Sequence, residues 1–346
     1  MDPMSLSAEQ ILKIDSKDPE KLFSKDSFRY QFMRLRKKWH PDTSTIDNAE
    51  SVFKHLMDLA ETAKGKIATD SWAGEASITF STHDHKTFRF RYKTMREFEM
   101  GKMYIGDNTL MYVIDKDQED LFDNGIKMIR QIKYPNNKLE TEFKRLFPKV
   151  KLIDKKTSIG LVAVFEKPEG TVLLQDLIDY MPDNRIDPKH VAWITSSLYN
   201  IATFLDHVGI CHNSILPTTV FVDPKNHAAF LLGGWWFAVK TGSKLKAIPR
   251  ELLKVLPNKV FDEKVANTAY DRQAVKGVAI GCLGDPTLVG MSLLSRKDVP
   301  NPMLNWIRSP SGPDAVSEYG GWEKTLEKSF GKRKFIAFDV NINDIY

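Results

Sequence analysis

Phe28, Phe32, Leu35 and Trp39 fall at i, i+4, i+7 and i+11, and the chain then runs into His40-Pro41-Asp42. That spacing draws one apolar stripe along a helix. Arg34, Arg36, Lys37 and Lys38 occupy its other faces. Pro41 lacks an amide donor and disfavours helix in the residue before it, so the helix ends at about His40. Downstream, Ala49, Phe53, Leu56, Leu59 and Ala60 form a second stripe after the cap-like Asp47-Asn48. The pattern predicts two helices facing each other across a short loop that presents His40 and Asp42 outward. Residues 26–39 carry five basic side chains against one acidic, a surface suited to an acidic partner.

This stretch resembles the J domain, the module by which Hsp40 proteins stimulate Hsp70 chaperones. The likeness covers residues 1–67. Ile11-Leu12-Lys13-Ile14 is similar to the family's short first helix, and Phe32 and Leu35 stand where the family places a Tyr and a Leu against its third helix. Trp39 replaces the usual Tyr, Ala60 stands where a Tyr is frequent, and the insert from Asp18 to Asp26 is slightly long. The resemblance implies an Hsp70-binding surface made by His40, Pro41 and Asp42 with Arg34, Arg36, Lys37 and Lys38.

At 346 residues the chain has room for two or three domains. A net charge of +5 is too small to argue for nucleic acid. Cys211 and Cys282 are too few for a disulfide framework and lack zinc spacing, so buried free thiols are the expectation. No run of apolar residues is long enough to span a membrane and no secretory pattern opens the chain, which predicts a cytoplasmic protein. His83-Asp84-His85 lacks further ligands, so no metal site is predicted.

Residues 65–75, with Gly65 and Gly74, suggest a linker, and residues 68–95 a linker with extra strands. Period-two patterns predict strands between Ala76 and Tyr92, a hairpin of Lys102–Ile105 and Thr109–Ile114 around Gly106-Asp107-Asn108, and a further strand at Gly125–Ile129. Leu139–Phe147 has helical spacing, and Leu152 and Leu161–Phe165 suggest two more strands. A long helix is predicted from Pro188, behind an Asp187 cap, to about His207.

This order of strands followed by helices, together with the segment from Leu205 to Asp223, resembles the protein kinase fold over residues 96–346, with a small lobe to about residue 170 and a large lobe beyond. Gly209-Ile210-Cys211-His212-Asn213-Ser214 follows the helix end and catalytic loop of that family, and Tyr270-Asp271-Arg272 is similar to its loop-bracing helix. The resemblance assigns Lys127 to the strand lysine and Glu142 to its helix partner, with Glu140 as the alternative. It also exposes what is missing. The base, the magnesium-binding Asn and the metal-binding Asp of the family are replaced by Ser214, Thr219 and Gly233, and Leu216 stands where a Lys acts. Gly106-Asp107-Asn108 makes a tight hairpin where the family has its phosphate-covering glycine loop. His212 is implied to be a buried brace of the loop.

The fold class expected is therefore multidomain: a small helical domain followed by a bilobal α+β domain of kinase type. The function implied is an Hsp70 co-chaperone whose kinase-like domain has no catalytic residues and binds an unknown protein client. No cofactor is required, although ATP binding through Lys127 and Glu142 is compatible with the reading. The alternatives are an atypical kinase or nucleotidyl transferase, and a scaffold, as a viral chain would use, that captures a host Hsp70.

Overall fold

The structure, a computed structural model, describes residues 3–25, 27–68, 72, 76–257, 259–312 and 314–346. Of the linker predicted at 65–75, residues 65–68 are instead the end of a helix, because the apolar stripe of Ala49–Ala68 runs through Ala63 and Ile67, and 69–71 and 73–75, Gly74 included, lie outside the described residues. The chain separates into two compact units, one of residues 1–79, 89–94 and 341–346, the other of residues 80–88 and 95–340.

The first unit is built from α1 (Ala8–Leu12), α2 (Phe28–Lys38) and α3 (Ala49–Ala68). Ser7 and Gln10 cap α1 reciprocally, each side chain taking the other's backbone N–H. The two stripes meet as the sequence predicts. Ile11, Phe28, Phe32, Leu35 and Trp39 share one core with Ala49, Val52, Leu56, Leu59, Ala60 and Ala63. Phe23 adds edge-on ring contacts to Phe28 and Phe32 at 5.2 and 6.3 Å. Phe53 is the exception. It is only half-buried, and Val52 takes the core position instead.

A hairpin of β1 (Ala76–Ser81) and β2 (Thr87–Tyr92) follows. The next five strands are β3 (Thr94–Phe98), β4 (Gly101–Ile105), β5 (Thr109–Ile114), β6 (Lys149–Asp154) and β7 (Leu161–Glu166). Two helices, α4 (Glu119–Arg130) and α5 (Asn137–Phe143), intervene between β5 and β6. The sheet order is β3-β4-β5-β7-β6, so β7 inserts between the third strand and the one that precedes it in sequence. Pairing of β4 with β5, β5 with β7 and β6 with β7 is antiparallel.

One strand predicted from the sequence is a helix. Gly125–Ile129 lies within α4, and the apparent alternation of Ile126 and Met128 arises because the helix is buried on more than one side. Phe122, Ile126 and Ile129 supply the i, i+4, i+7 spacing that identifies it. Strand β3, by contrast, gave no clear alternation in the sequence. Its residues are half-buried or exposed in turn, without an apolar face.

The rest of the second unit is mainly helical. After the short β8 (Val172–Leu173) come α6 (Leu174–Tyr180) and α7 (Pro188–His207), the latter capped by Asp187 with Pro188 at its first position. Then follow β9 (Ile210–Cys211), β10 (Val220–Asp223), β11 (Ala228–Leu231) and β12 (Val239–Lys240), with β10 between β8 and β11, and β12 on β9. Helices α8 (Lys259–Glu263), α9 (Thr268–Cys282), α10 (Asn301–Arg308) and α11 (Ala315–Phe330) complete it. Ile194, Leu198, Ile201 and Leu205 are fully buried along α7, which packs on α9 and α11. Within that helical core Lys276 and Glu318 form a closed ion pair at 2.8 Å with almost no exposure. Glu318 also accepts the Tyr199 hydroxyl at 3.1 Å, and the Lys276 ammonium sits 4.7 Å from the Trp306 ring centre. Among the described residues no helix is long and apolar enough to cross a membrane.

Candidate functional site

Two places gather the residues singled out by the sequence, one in each unit. The first is the turn after α2. Pro41 and Asp42 are exposed, and the carbonyl of His40 accepts the N–H groups of Thr43 and Ser44, which closes the turn. His40 Nδ1 accepts the Asp42 N–H at 3.3 Å, so the ring hydrogen sits on Nε2 and faces away from that bond. The Asp42 carboxylate stands 3.8 Å from Nδ1. The His40 ring meets Phe53 edge-on at 5.2 Å, which explains why Phe53 leaves the core stripe: it supports the turn from α3. Arg34, Arg36 and Lys37 are exposed on α2. Lys38 is different. Its ammonium donates to the carbonyls of Met4 and Leu6 at 2.8 and 3.4 Å and lies 5.0 Å from the Trp39 ring centre. Lys38 therefore ties the N-terminal segment to the end of α2, Arg34 lies 5.5 Å from the Tyr30 ring centre, and Arg36 and Lys37 are exposed beside the turn.

The second place is the loop from His212 to Thr219. Its brace is Asp271 on α9, whose two carboxylate oxygens accept the backbone N–H groups of His212 and Asn213 at 2.6 and 2.8 Å. Asp271 is 1% exposed, and burial pushes its carboxyl up to about 6 despite those two donors. His212 is fully buried and its Nε2 lies 3.1 Å from the Gly233 carbonyl. A carbonyl can only accept, so Nε2 carries the hydrogen and the unpartnered Nδ1 does not. Burial holds this imidazole down at about 3, which keeps it neutral.

Ser214, Thr219 and Gly233 come together here with no charge among them. The Thr219 hydroxyl donates to the Ser214 carbonyl at 2.6 Å and accepts the Leu216 N–H at 3.0 Å, closing the loop on itself. Gly233 donates to the Thr219 carbonyl at 3.0 Å. A Cβ on Gly233 would lie 2.8 Å from the Tyr112 hydroxyl oxygen, and a Cβ on Gly234 would lie 2.6 Å from Ser214 Oγ. Gly234 also has φ +77°, a conformation that suits glycine. Where phosphoryl transfer needs carboxylates on a metal, this site holds a backbone turn packed against a phenol. The Tyr112 phenol is wholly enclosed, and burial pushes its ionisation far above the usual range.

Lys127 and Glu142 are not part of this arrangement. Lys127 is an exposed residue of α4, and Glu142 an exposed residue of α5, so the strand-lysine reading is corrected by the helical assignment of residues 119–130. Glu140, the alternative partner, pairs at 2.8 Å with Lys144, the residue that follows α5. The strand that runs beside the loop is β5, and Tyr112 is the residue it contributes. What α4 contributes is Asn124, whose amide donates to the carbonyls of Trp236 and Ala238 at 3.0 and 2.8 Å. Phe122 stacks on Trp236 at 5.6 Å and 9°, and a Cβ on Gly125 would overlap that indole at 2.4 Å. Trp235, Trp236 and Phe237 are thus core, all at most 5% exposed. Sequence reasoning missed Tyr112 and Asn124. The only signal was a buried-type Asn inside the Phe122/Ile126/Ile129 stripe.

Both cysteines are free and buried; burial pushes the Cys211 thiol up to about 12, so it is unreactive. Among the described residues no three His, Cys, Asp or Glu side chains converge as a metal site.

No protein-family model and no curated protein matches the chain. Among solved structures, that of vaccinia related kinase 3 is similar over 72% of this chain and 91% of that one, at 13% sequence identity and a TM-score of 0.47. The likeness is too distant to give any residue here a role.

Proposed function

We propose that this protein is a J-domain-type co-chaperone whose second unit is a kinase-like fold without phosphoryl-transfer activity. The observation that carries the first half is the His40-Pro41-Asp42 turn, buttressed by Phe53 and adjoined by the exposed cations Arg34, Arg36 and Lys37. That surface docks on an acidic face of an Hsp70 and accelerates its ATP hydrolysis. The second half is supported by the uncharged cluster of Ser214, Thr219 and Gly233 in place of a base and two metal ligands. This unit binds a protein client, and tethering it to the chaperone contact raises the client's effective concentration.

The test is the steady-state ATPase rate of an Hsp70 with the full chain and with His40→Gln. The intact chain stimulates and the variant does not. Equal stimulation by both would remove the turn from the mechanism, and no stimulation by either would remove the co-chaperone reading.

A further inference from the structure

The closing stretch of the second unit, residues 332–340, has no helix or strand and follows Gly331, whose φ of +73° turns the chain off the end of α11. Among the described residues no backbone–backbone hydrogen bond joins this tail to another element. It is held by rings. Phe338 stacks on His190 at 4.0 Å and 9°, and Phe335 on His227 at 4.4 Å and 22°. His227 stacks in turn on Trp193 at 4.7 Å and 1°, and the two imidazoles meet edge-on at 6.0 Å. His190 and Trp193 lie one turn apart on α7. His227 closes the turn between β10 and β11, and its carbonyl accepts the Ser197 hydroxyl of α7 at 3.4 Å.

This latch is finely balanced. His190 Nδ1, His227 Nε2 and Trp193 Nε1 are enclosed and have no hydrogen-bond partner. Buried polar atoms are ordinarily paired, because an unpaired one keeps the cost of leaving water without recovering it. In an imidazolium both nitrogens carry hydrogen. Protonating either ring would therefore enclose an N–H without an acceptor and a charge away from water. The surrounding charges do not reverse this. Burial holds the His190 imidazole below its usual range, with help from His227 and Lys189 and against Asp187 at the cap of α7 and Asp339 on the tail. Burial does the same to His227, against Asp223 and a hydrogen bond to the Ile336 backbone.

We propose that residues 335–340 form a pH-released strap, closed over the His190–Trp193–His227 face at neutral pH and open once the two histidines take up protons. A histidine whose pKa is depressed in the closed form favours closure above its unfolded value of 6.5 and ceases to do so as pH falls. Opening returns both imidazoles to water and bares an aromatic face on α7. The strap lies wholly within the second unit, so it stands or falls independently of the co-chaperone reading.

The experiment is electron paramagnetic resonance of the full chain, spin-labelled through Ala337→Cys at an exposed position between the two phenylalanines. Cys211 and Cys282 are buried, which leaves residue 337 as the reactive thiol. The label should be held at pH 7.5 and gain a mobile component at pH 5.5, the ratio of open to closed strap rising about tenfold or more. His190→Phe combined with His227→Phe keeps both rings and removes the sites of protonation, so its label should stay held at both pH values. Phe338→Ala removes a stacking partner and should leave the label mobile at both. A label at Lys324→Cys, exposed on α11, should keep one line shape throughout. Mobility at 337 that ignores pH, a phenylalanine variant that still opens on acidification, a Phe338→Ala label held like the parent's, or mobilisation of 324 together with 337 would each overturn the proposal.

Discussion

Tyr112 and Gly233 exclude any side chain between them: a Cβ at residue 233 would stand 2.8 Å from the Tyr112 hydroxyl oxygen. The residue that β5 sends toward the loop therefore forbids the carboxylate that metal-dependent phosphoryl transfer would place at 233. A carboxylate at 233 would need room made on the strand as well as in the loop.

Gly233→Ala should destabilise the protein by about 2 kcal/mol through overpacking. About half of that should return in a Tyr112→Phe background, where the nearest clashing atom is gone and the Thr219 backbone remains. Urea denaturation of the four chains of the cycle measures the coupling. Strict additivity would mean that the two residues do not press on each other.

ATP with magnesium or manganese should leave the melting temperature where it is. A ligand raises stability through its occupancy of the folded state. The cleft between the five-stranded sheet and the His212–Thr219 loop is lined by Glu97, Glu99, Glu251 and an Arg96 already paired with Asp176 and Asp179, and has no metal-binding carboxylate at 214, 219 or 233. A metal-dependent rise of several degrees would revive the enzyme reading.

His212 and Asp271 give opposite pH signatures. The imidazole, held down at about 3, contributes stability that is present above its unfolded value of 6.5 and is lost as pH falls toward 3. The carboxyl, raised to about 6, contributes stability that is present below 3.8 and is lost as pH rises through 6. The two slopes offset each other between roughly pH 4 and 6. His212→Gln removes one of them. Relative to the parent, the variant should gain about 1.4 kcal/mol per pH unit as pH drops below 6.5. Chemical denaturation at pH 7, 6 and 5 reads the difference, and parallel curves would show that the imidazole is not held neutral.

Lys276→Met should cost about 3–5 kcal/mol, because it strands Glu318 as a buried, uncompensated charge. Burial already pulls the Lys276 ammonium down from its usual value, against the raising effect of Glu318. Adding Glu318→Gln should recover part of the loss, since the amide oxygen can still accept from Tyr199 while the Gly312 N–H loses the carboxylate oxygen it now donates to. Thermal denaturation of both variants tests this; a double variant no better than the single one would locate the cost in packing around Trp306.

How far the fold was legible follows from how each segment is buried. Helices α2, α3 and α7 bury one face or carry clear caps, so their periodicity stood out. The hairpin of β4 and β5 was announced by Gly106-Asp107-Asn108. Helix α4 was misread because Gly125, Ile126, Met128 and Ile129 are all buried, which erases the 3.6-residue rhythm over a short window. That error moved the search for a lysine to residue 127 and hid Tyr112, whose position depends on the sheet order β5-β7-β6. The loop was easier. His212, Ser214, Thr219, Gly233 and Asp271 were picked out through the resemblance to a kinase loop, but only the structure shows that Thr219 turns its hydroxyl to the loop's own backbone.

Lys38 makes the first few residues part of what holds the end of α2 in place. Its ammonium is anchored on the carbonyls of Met4 and Leu6, so whatever happens at the amino end is transmitted to the last turn of α2 and from there to His40. A truncation past Leu6 would remove that anchor and set Lys38 free to swing.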